Sequence, residues 1–366
     1  MLRTLIITVA VFAGLVLNGR DTLAHGPNDP PHQLYQVGDL KLESGQAIKD
    51  FCISYVTHGT LNAEKSNAVL MVTAISGNHH RIDYLIGPGR ALDPAKYFII
   101  ATDAIGNGLT TSPSNSKAQP AMQFPRFNIR DMVSSQYRLV TEKFGLSKLV
   151  TVIGASMGGM QTLQWGVSHP AMMSSLVAII PLGRTPAWTT GVLEMTRQSI
   201  MLDPKWNGGN YTAANPPEAG MRLWAGWLSG VIVRTPQYQE GSFPNSQDEI
   251  GMLKGVMDTW KRFDANDWIY QTWAYDAHNV GTTPGFNGDY HRALRAIKAK
   301  TLILAGTGDL LNPEYEAMEA AHYINDVRYV AINPQRPMGH LSGAGASARE
   351  NEVQNEEVAK LLANVK

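Results

Sequence analysis

The sequence predicts an α/β fold: a mainly parallel sheet flanked by helices, with a helical cap inserted ahead of the last strands. Three observations predict it. Short apolar runs recur along the chain (AVLMVTAI, KYFIIATD, LVTVIG, SLVAIIPLG, KTLILAG and VRYVAI), the pattern of strands buried on both faces. Helical patterns stand between several of them, notably residues 129–144 (IRDMVSSQYRLVTEKF) and 160–167 (MQTLQWGV), as an alternation of strand and helix requires. Residues 186–287 break the rhythm: they hold seven of the eight tryptophans and stretches such as GMRLWAGWLSGVI and EIGMLKGVMDTWKRF, with no buried strand pattern.

The elements follow in chain order. MLR and the apolar residues 4–17 read as a secretory signal peptide, with small residues near 22–24 for cleavage and a mature chain beginning near His25. The expected location is therefore secreted or periplasmic. After a polar linker, QVGDLKLESG and FCISYVTHG alternate like an antiparallel strand pair. The second carries Cys52, the single cysteine of the chain, which is expected to be buried and structural. Residues 106–120 (GNGLTTSPSNSKAQP) are expected to form one long surface loop. Residues 25–185 and 288–366 then make the sheet domain and 186–287 the cap. Most cap tryptophans are expected to build a small helical core, with one or two lining a substrate cleft.

Composition removes several functions. The 366 residues are 44% hydrophobic and 17% charged, enough to bury a large core. Lysine and arginine number 31, as do aspartate and glutamate, so there is no overall basic footprint for nucleic acid or for an anionic membrane. A small, neutral substrate fits better. Composition leaves a homodimer open.

The chemistry concentrates at Gly154-Ala155-Ser156-Met157-Gly158. A strand pattern precedes this GxSxG and a helical pattern follows, the setting of a nucleophile elbow. A serine on so sharp a turn is strained, and only neighbours without side chains let strand and helix approach closely enough. In return its hydroxyl projects at a helix N-terminus, where backbone N–H groups can hold an oxyanion. A dinucleotide site is excluded by the letters, since Ser156 stands where GxGxxG needs its second glycine. A serine hydroxyl needs a base and an orienting acid, in chain order acid then histidine for such an elbow. Asp309 follows the strand TLILAG, and His340 comes one helix and one strand later in PMGHLSGAG. His169 lies on or just after the elbow helix, His278 and His291 belong to the cap or its exit, and His322 sits inside a helix before the last strand, so each is read as a surface or packing residue. The oxyanion donors are expected to be the backbone N–H groups of Met157 and of Ile75, in the loop after the third strand. Asn78, His79 and His80 are read as the rim of the cleft, because adjacent histidines lack zinc-ligand spacing.

FNIRDMVSSQYRLVTEKFGLSKLVTVIGASMGGMQTLQWGVSHP closely resembles the elbow region of the homoserine O-acetyltransferase family, and TAISG, LDPAKYFIIATDAIGNG and KRFDAND match its other recurring segments. The resemblance runs over most of residues 35–345. It implies an α/β-hydrolase fold with a helical cap, a triad of Ser156, Asp309 and His340, and no cofactor beyond an acyl donor. Two positions depart from the family pattern: Leu341 follows His340 where the family carries aspartate, and Ala155 stands in the elbow where glycine is usual. With the export signal, these departures give the sequence-based expectation of a secreted serine hydrolase that cleaves a small ester or amide. Acyl transfer from an acyl-CoA to homoserine is the alternative.

Overall fold

The computed structural model describes residues 31–365. The expected signal peptide, residues 1–24, lies outside them. One eight-stranded sheet organises the chain, in the order β1-β2-β4-β3-β5-β6-β7-β8. β1 (Gln33–Lys41) and β2 (Ala47–His58) pair antiparallel, as their alternating patterns imply, and β2 pairs antiparallel with β4 (Phe98–Thr102). From there the sheet is parallel: β4 with β3 (Ala68–Val72), β3 with β5 (Leu149–Ala155), β5 with β6 (Met173–Ile179), β6 with β7 (Lys300–Gly306), and β7 with β8 (Val327–Ile332). Every residue of β3 and β4 is buried, which explains why these strands read as unbroken apolar runs.

Helices cover both faces. α1 (Ile129–Arg138) opens on a capping box in which Asn128 accepts from the Asp131 N–H and Asp131 from the Asn128 N–H. It runs on into a π turn at Leu139–Lys143, so the helix predicted over 129–144 is present with its last turn widened. α2 (Met157–Ser168) begins directly after Ser156, earlier than its apolar pattern suggested. Between β6 and β7 all elements are helical: α3 (Ala187–Met201), α4 (Glu218–Ala225), α5 (Pro236–Ser242), α6 (Ser246–Met257), α7 (Ala265–Asp276) and α8 (Tyr290–Arg295), with short 3-10 and π turns among them. α9 (Glu314–Tyr323) separates β7 from β8, and α10 (Ala348–Leu362) closes the chain. Trp224 and Trp268 stack at 4.7 Å in the buried interior of the cap, whereas Trp188 is half exposed and donates its indole N–H to the Leu310 carbonyl.

Two expectations change. Residues 106–120 lie only partly on the surface: Asn115, Lys117, Ala118 and Pro120 are exposed, but Thr110, Thr111 and Ser112 are buried, because the segment satisfies its backbone internally. Asn107 accepts from the N–H groups of Leu109 and Thr110, and Asn115 from that of Ser112. Cys52 is only partly buried, its thiol donating to Gln36 Oε1 across the first strand pair.

Of the four histidines set aside, His169 and His278 pack inside the fold, His291 is partly buried and His322 is exposed. His169 ends α2 and stacks on Tyr137 at 4.2 Å. His278 is buried, Nε2 against the Leu182 carbonyl. His291 pairs with Glu319, and His322 lies within α9.

Two predictions follow from this packing. A Cβ built on Gly158 would stand 2.5 Å from the Val72 carbonyl oxygen, a backbone atom of β3. Gly158→Ala should therefore destabilise the fold by about 3 kcal/mol, at the upper end of overpacking costs, with urea denaturation as the measure. Stability within 0.5 kcal/mol of wild type, roughly the spread of neutral surface changes, would contradict the contact. The second concerns acid. Burial pushes His278 down to about 3 and His169 down to about 4, while the unfolded chain protonates histidine near ~6.5. Between those values the unfolded state holds the extra proton, so stability is present above ~6.5 and is lost as pH falls toward the folded pKa. His278→Gln keeps a donor for the Leu182 carbonyl without the titration. Between pH values of roughly 6.5 and 4.5 it should lose about 2 kcal/mol less stability than wild type; parallel denaturation curves would refute this.

Candidate active site

The elbow is built by close approach. Ser156 has φ 59° and ψ −120°, a positive φ that a serine adopts at a cost of about 1–3 kcal/mol. Its N–H donates to the Ile179 carbonyl of β6 and its carbonyl accepts from Met160, so both neighbours hold the turn. Gly154 and Gly158 face each other across it: a Cβ on Gly154 would lie 2.6 Å from the Gly158 backbone. The serine is buried, with 1% of its surface exposed.

Three expected side chains meet there. His340 Nε2 lies 2.9 Å from Ser156 Oγ, and His340 Nδ1 lies 2.7 Å from Asp309 Oδ2. Asp309 Oδ1 accepts from the N–H groups of Leu311 and Asn312, each at 2.8 Å. One carboxylate oxygen therefore fixes the turn after β7 while the other holds the imidazole. His340 sits in a 3-10 turn, Gly339–Gly343, after β8. The parallel pairing of β5, β6, β7 and β8 brings the carboxyl-end loops of those strands to one edge of the sheet, the edge at which open α/β sheets form sites.

The loop after β3 reaches the same edge because β3 is hydrogen-bonded to β5, with Val72 opposite Gly154. It is braced by glutamines. Gln161 of α2 donates to the Thr73 carbonyl, and Gln271 of α7 accepts from the Ser76 N–H while donating to the Ile105 carbonyl. Ser76 takes φ 51°. Among the described residues, the N–H groups of Ile75 and Met157 donate no hydrogen bond. Met157 is the first residue of α2, where a helix leaves its N–H groups without partners. His79 departs from expectation: it is fully buried, Nδ1 at 2.7 Å from Asp103 Oδ2, whereas Asn78 and His80 do line the cleft.

Tyr275 is a neighbour of the nucleophile that sequence reasoning missed. It comes from α7, is buried beside Ser156, and donates its hydroxyl to Asn312 Oδ1 at 2.5 Å. Burial raises its pKa and keeps it a neutral phenol. The only signal for it was an aromatic in the cap, shared with many packing residues. Among the described residues, no group of three or more histidine, cysteine or acidic side chains is arranged to hold a metal ion.

The family model described as alpha/beta hydrolase fold matches residues 67–344. A homoserine O-acetyltransferase of Moorella thermoacetica is 33% identical over 339 residues, covering 82% of this chain and 88% of that protein. Among solved structures, the acetyl esterase MekB is similar with a TM-score of 0.84 and 29% identity, covering 92% of this chain and 97% of that one. The homoserine O-acetyltransferase of Bacillus anthracis has a TM-score of 0.80 and 26% identity, covering 91% and 98%.

The expected secreted hydrolase, with water as acyl acceptor, is overturned by the curated relatives, which are homoserine O-acetyltransferases along most of the chain. The two departures behind that expectation have local explanations. The Ala155 methyl packs in the core with Ile153, Val177 and Ile179. Leu341 is half buried, and its N–H donates to the Val233 carbonyl beside the cap. Export rested on residues outside those described. Fold, elbow and relatives together place the chain in the homoserine O-acetyltransferase family of the α/β-hydrolase superfamily.

Proposed function

We propose that this chain transfers an acyl group from an acyl-CoA to the hydroxyl of homoserine, through an acyl-enzyme on Ser156. The observation that carries the reading is the continuous hydrogen-bonded line from Ser156 through His340 to Asp309, at 2.9 and 2.7 Å. Its relatives supply the acceptor.

His340 Nε2 takes the proton of Ser156 as Oγ attacks the thioester carbonyl. Asp309 keeps the proton on Nδ1 and stabilises the imidazolium. The carbonyl oxygen becomes an oxyanion held by the N–H groups of Met157 and Ile75, both without a protein acceptor. The carbon–sulfur bond then breaks, and the thiol leaves with the proton from His340. The homoserine hydroxyl enters, gives its proton to His340 and attacks the acyl-enzyme; the ester product leaves as Ser156 recovers its proton. The phenol of Tyr275 donates to Asn312, whose N–H in turn donates to Asp309, so it braces the acid and not the serine.

The test is homoserine-dependent release of CoA from acetyl-CoA, followed with a thiol reagent on the full chain. Wild type should release CoA beyond one equivalent per enzyme only when homoserine is present. Ser156→Ala and His340→Ala should each lower kcat by about 10⁶, as triad knockouts do. Wild type inert toward homoserine would overturn the acceptor, and a variant keeping a tenth of the rate would overturn the role of its residue.

A further inference from the structure

We propose that the cleft between the loop after β3 and the cap is an oxyanion-binding subsite anchored by Arg81, which holds a carboxylate or phosphate group of a substrate. The inference rests on the acyl-transfer reading, in which the acceptor carries a carboxylate and the donor carries phosphates.

The cleft measures about 780 Å³, and its walls include Ser76, Asn78, Arg81, Lys261, Arg262 and Gln271. Arg81 is the unusual member. Its Nη1 donates to the Ala344 carbonyl at 3.2 Å, while Nε is sealed from water and donates to nothing. Among the described residues no carboxylate pairs with it. A guanidinium withdrawn from water normally has an acid beside it, because desolvation of an uncompensated charge is costly. Burial accordingly lowers its pKa from the ordinary arginine value.

The nearby acids are engaged elsewhere. Asp83 Oδ2 lies 2.7 Å from His80 Nδ1. Asp264 accepts from the Asn266 and Asp267 N–H groups at the start of α7, and Asp267 accepts from the N–H and hydroxyl of Ser114. Lys261 and Arg262 add positive charge on the cap side. Arg81 on the loop side and Lys261 and Arg262 on the cap side thus face the cleft from both walls, beside the acids Asp264 and Asp267 that bond to the chain.

The cleft adjoins the reacting groups. Ala344 ends the 3-10 turn that carries His340. Gln271, which accepts from Ser76 beside the expected oxyanion donor Ile75, lies one turn of α7 before Tyr275. Among the described residues no acceptor meets the Nη2 of Arg81, and that end of the guanidinium suits an oxygen of a carboxylate or of a phosphate.

The test is direct binding to the full chain by titration calorimetry, which does not require turnover. The probes are CoA against pantetheine, which lacks the phosphates, and homoserine against homoserinol, which lacks the carboxylate. Arg81→Met should weaken the anion-bearing member of one pair by about 10- to 100-fold, the range of a charge-assisted contact, and its neutral counterpart by much less. Arg81→Lys should fall between, since it keeps the charge and loses the fork. A response to CoA alone identifies phosphate, and to homoserine alone the carboxylate. Should Arg81→Met not fold, Arg81→Lys and the weakening of wild-type anion binding by salt carry the same comparison. Unchanged affinity for both anions, equal losses for anionic and neutral partners, or no anion binding by wild type would overturn the proposal. Absent CoA release in the transfer assay would remove the reaction instead, leaving these affinities readable.

Discussion

The close approach of β5 to α2 is the contact on which the rest of the site depends. Gly154 and Gly158 have no side chains because the space is occupied: a Cβ on Gly154 would fall 2.6 Å from the Gly158 backbone across the turn, and one on Gly158 would fall 2.5 Å from the Val72 carbonyl oxygen of β3. That approach forces Ser156 into φ 59°, and the strain is carried by two flanking hydrogen bonds, to Ile179 and from Met160. The same approach sets Gly158 against β3, so the loop after β3 begins beside the elbow. The nucleophile and the expected oxyanion donors are thus placed by one packing constraint. Base and acid arrive separately, through the parallel order of β6, β7 and β8.

A second constraint comes from the cap. α7 is buried along nearly its whole length; Asn266, Trp268 and Asp276 bond within the cap, while another set of polar side chains reaches into the sheet domain. Asp267 holds Ser114, Tyr270 donates to the Phe124 carbonyl, Gln271 accepts from Ser76, and Tyr275 donates to Asn312. Residues 267, 271 and 275 are spaced by four, one face of a helix. A helix that covers the site also braces the loop expected to hold the oxyanion. Its position therefore couples cap packing to the geometry at Ser156.

What could be read from the sequence was whatever depends on local order. The strands were legible as apolar runs, and Ser156, Asp309 and His340 were legible because an elbow fixes the serine and the chain order of the remaining αβ unit fixes the other two. The sequence could not show Tyr275 or Gln271 beside Ser156, since both arrive from a distant segment, the cap helix α7; Arg81 directly follows the expected rim residues but carries no signature of its own. Residues 106–120 read as a surface loop because Ser, Asn and Pro are turn residues; the same side chains satisfy a buried backbone. His79 read as a rim residue because Asp103, its partner, is 24 positions away.

The error over the acyl acceptor has the same origin. Triad, elbow and oxyanion donors serve attack by water and by an alcohol alike, because both pass through one acyl-enzyme. The letters that form this machinery cannot choose between them. The choice lies in what the cleft binds beside the acyl-enzyme, and in whether a bound alcohol excludes water from it. Ala155 faces the core on the far side of the strand and does not touch that cleft. Arg81, Lys261, Arg262 and the α7 residues form its walls, so the determinants of the acceptor belong to the loop after β3 and to the cap, two segments brought together only by the fold.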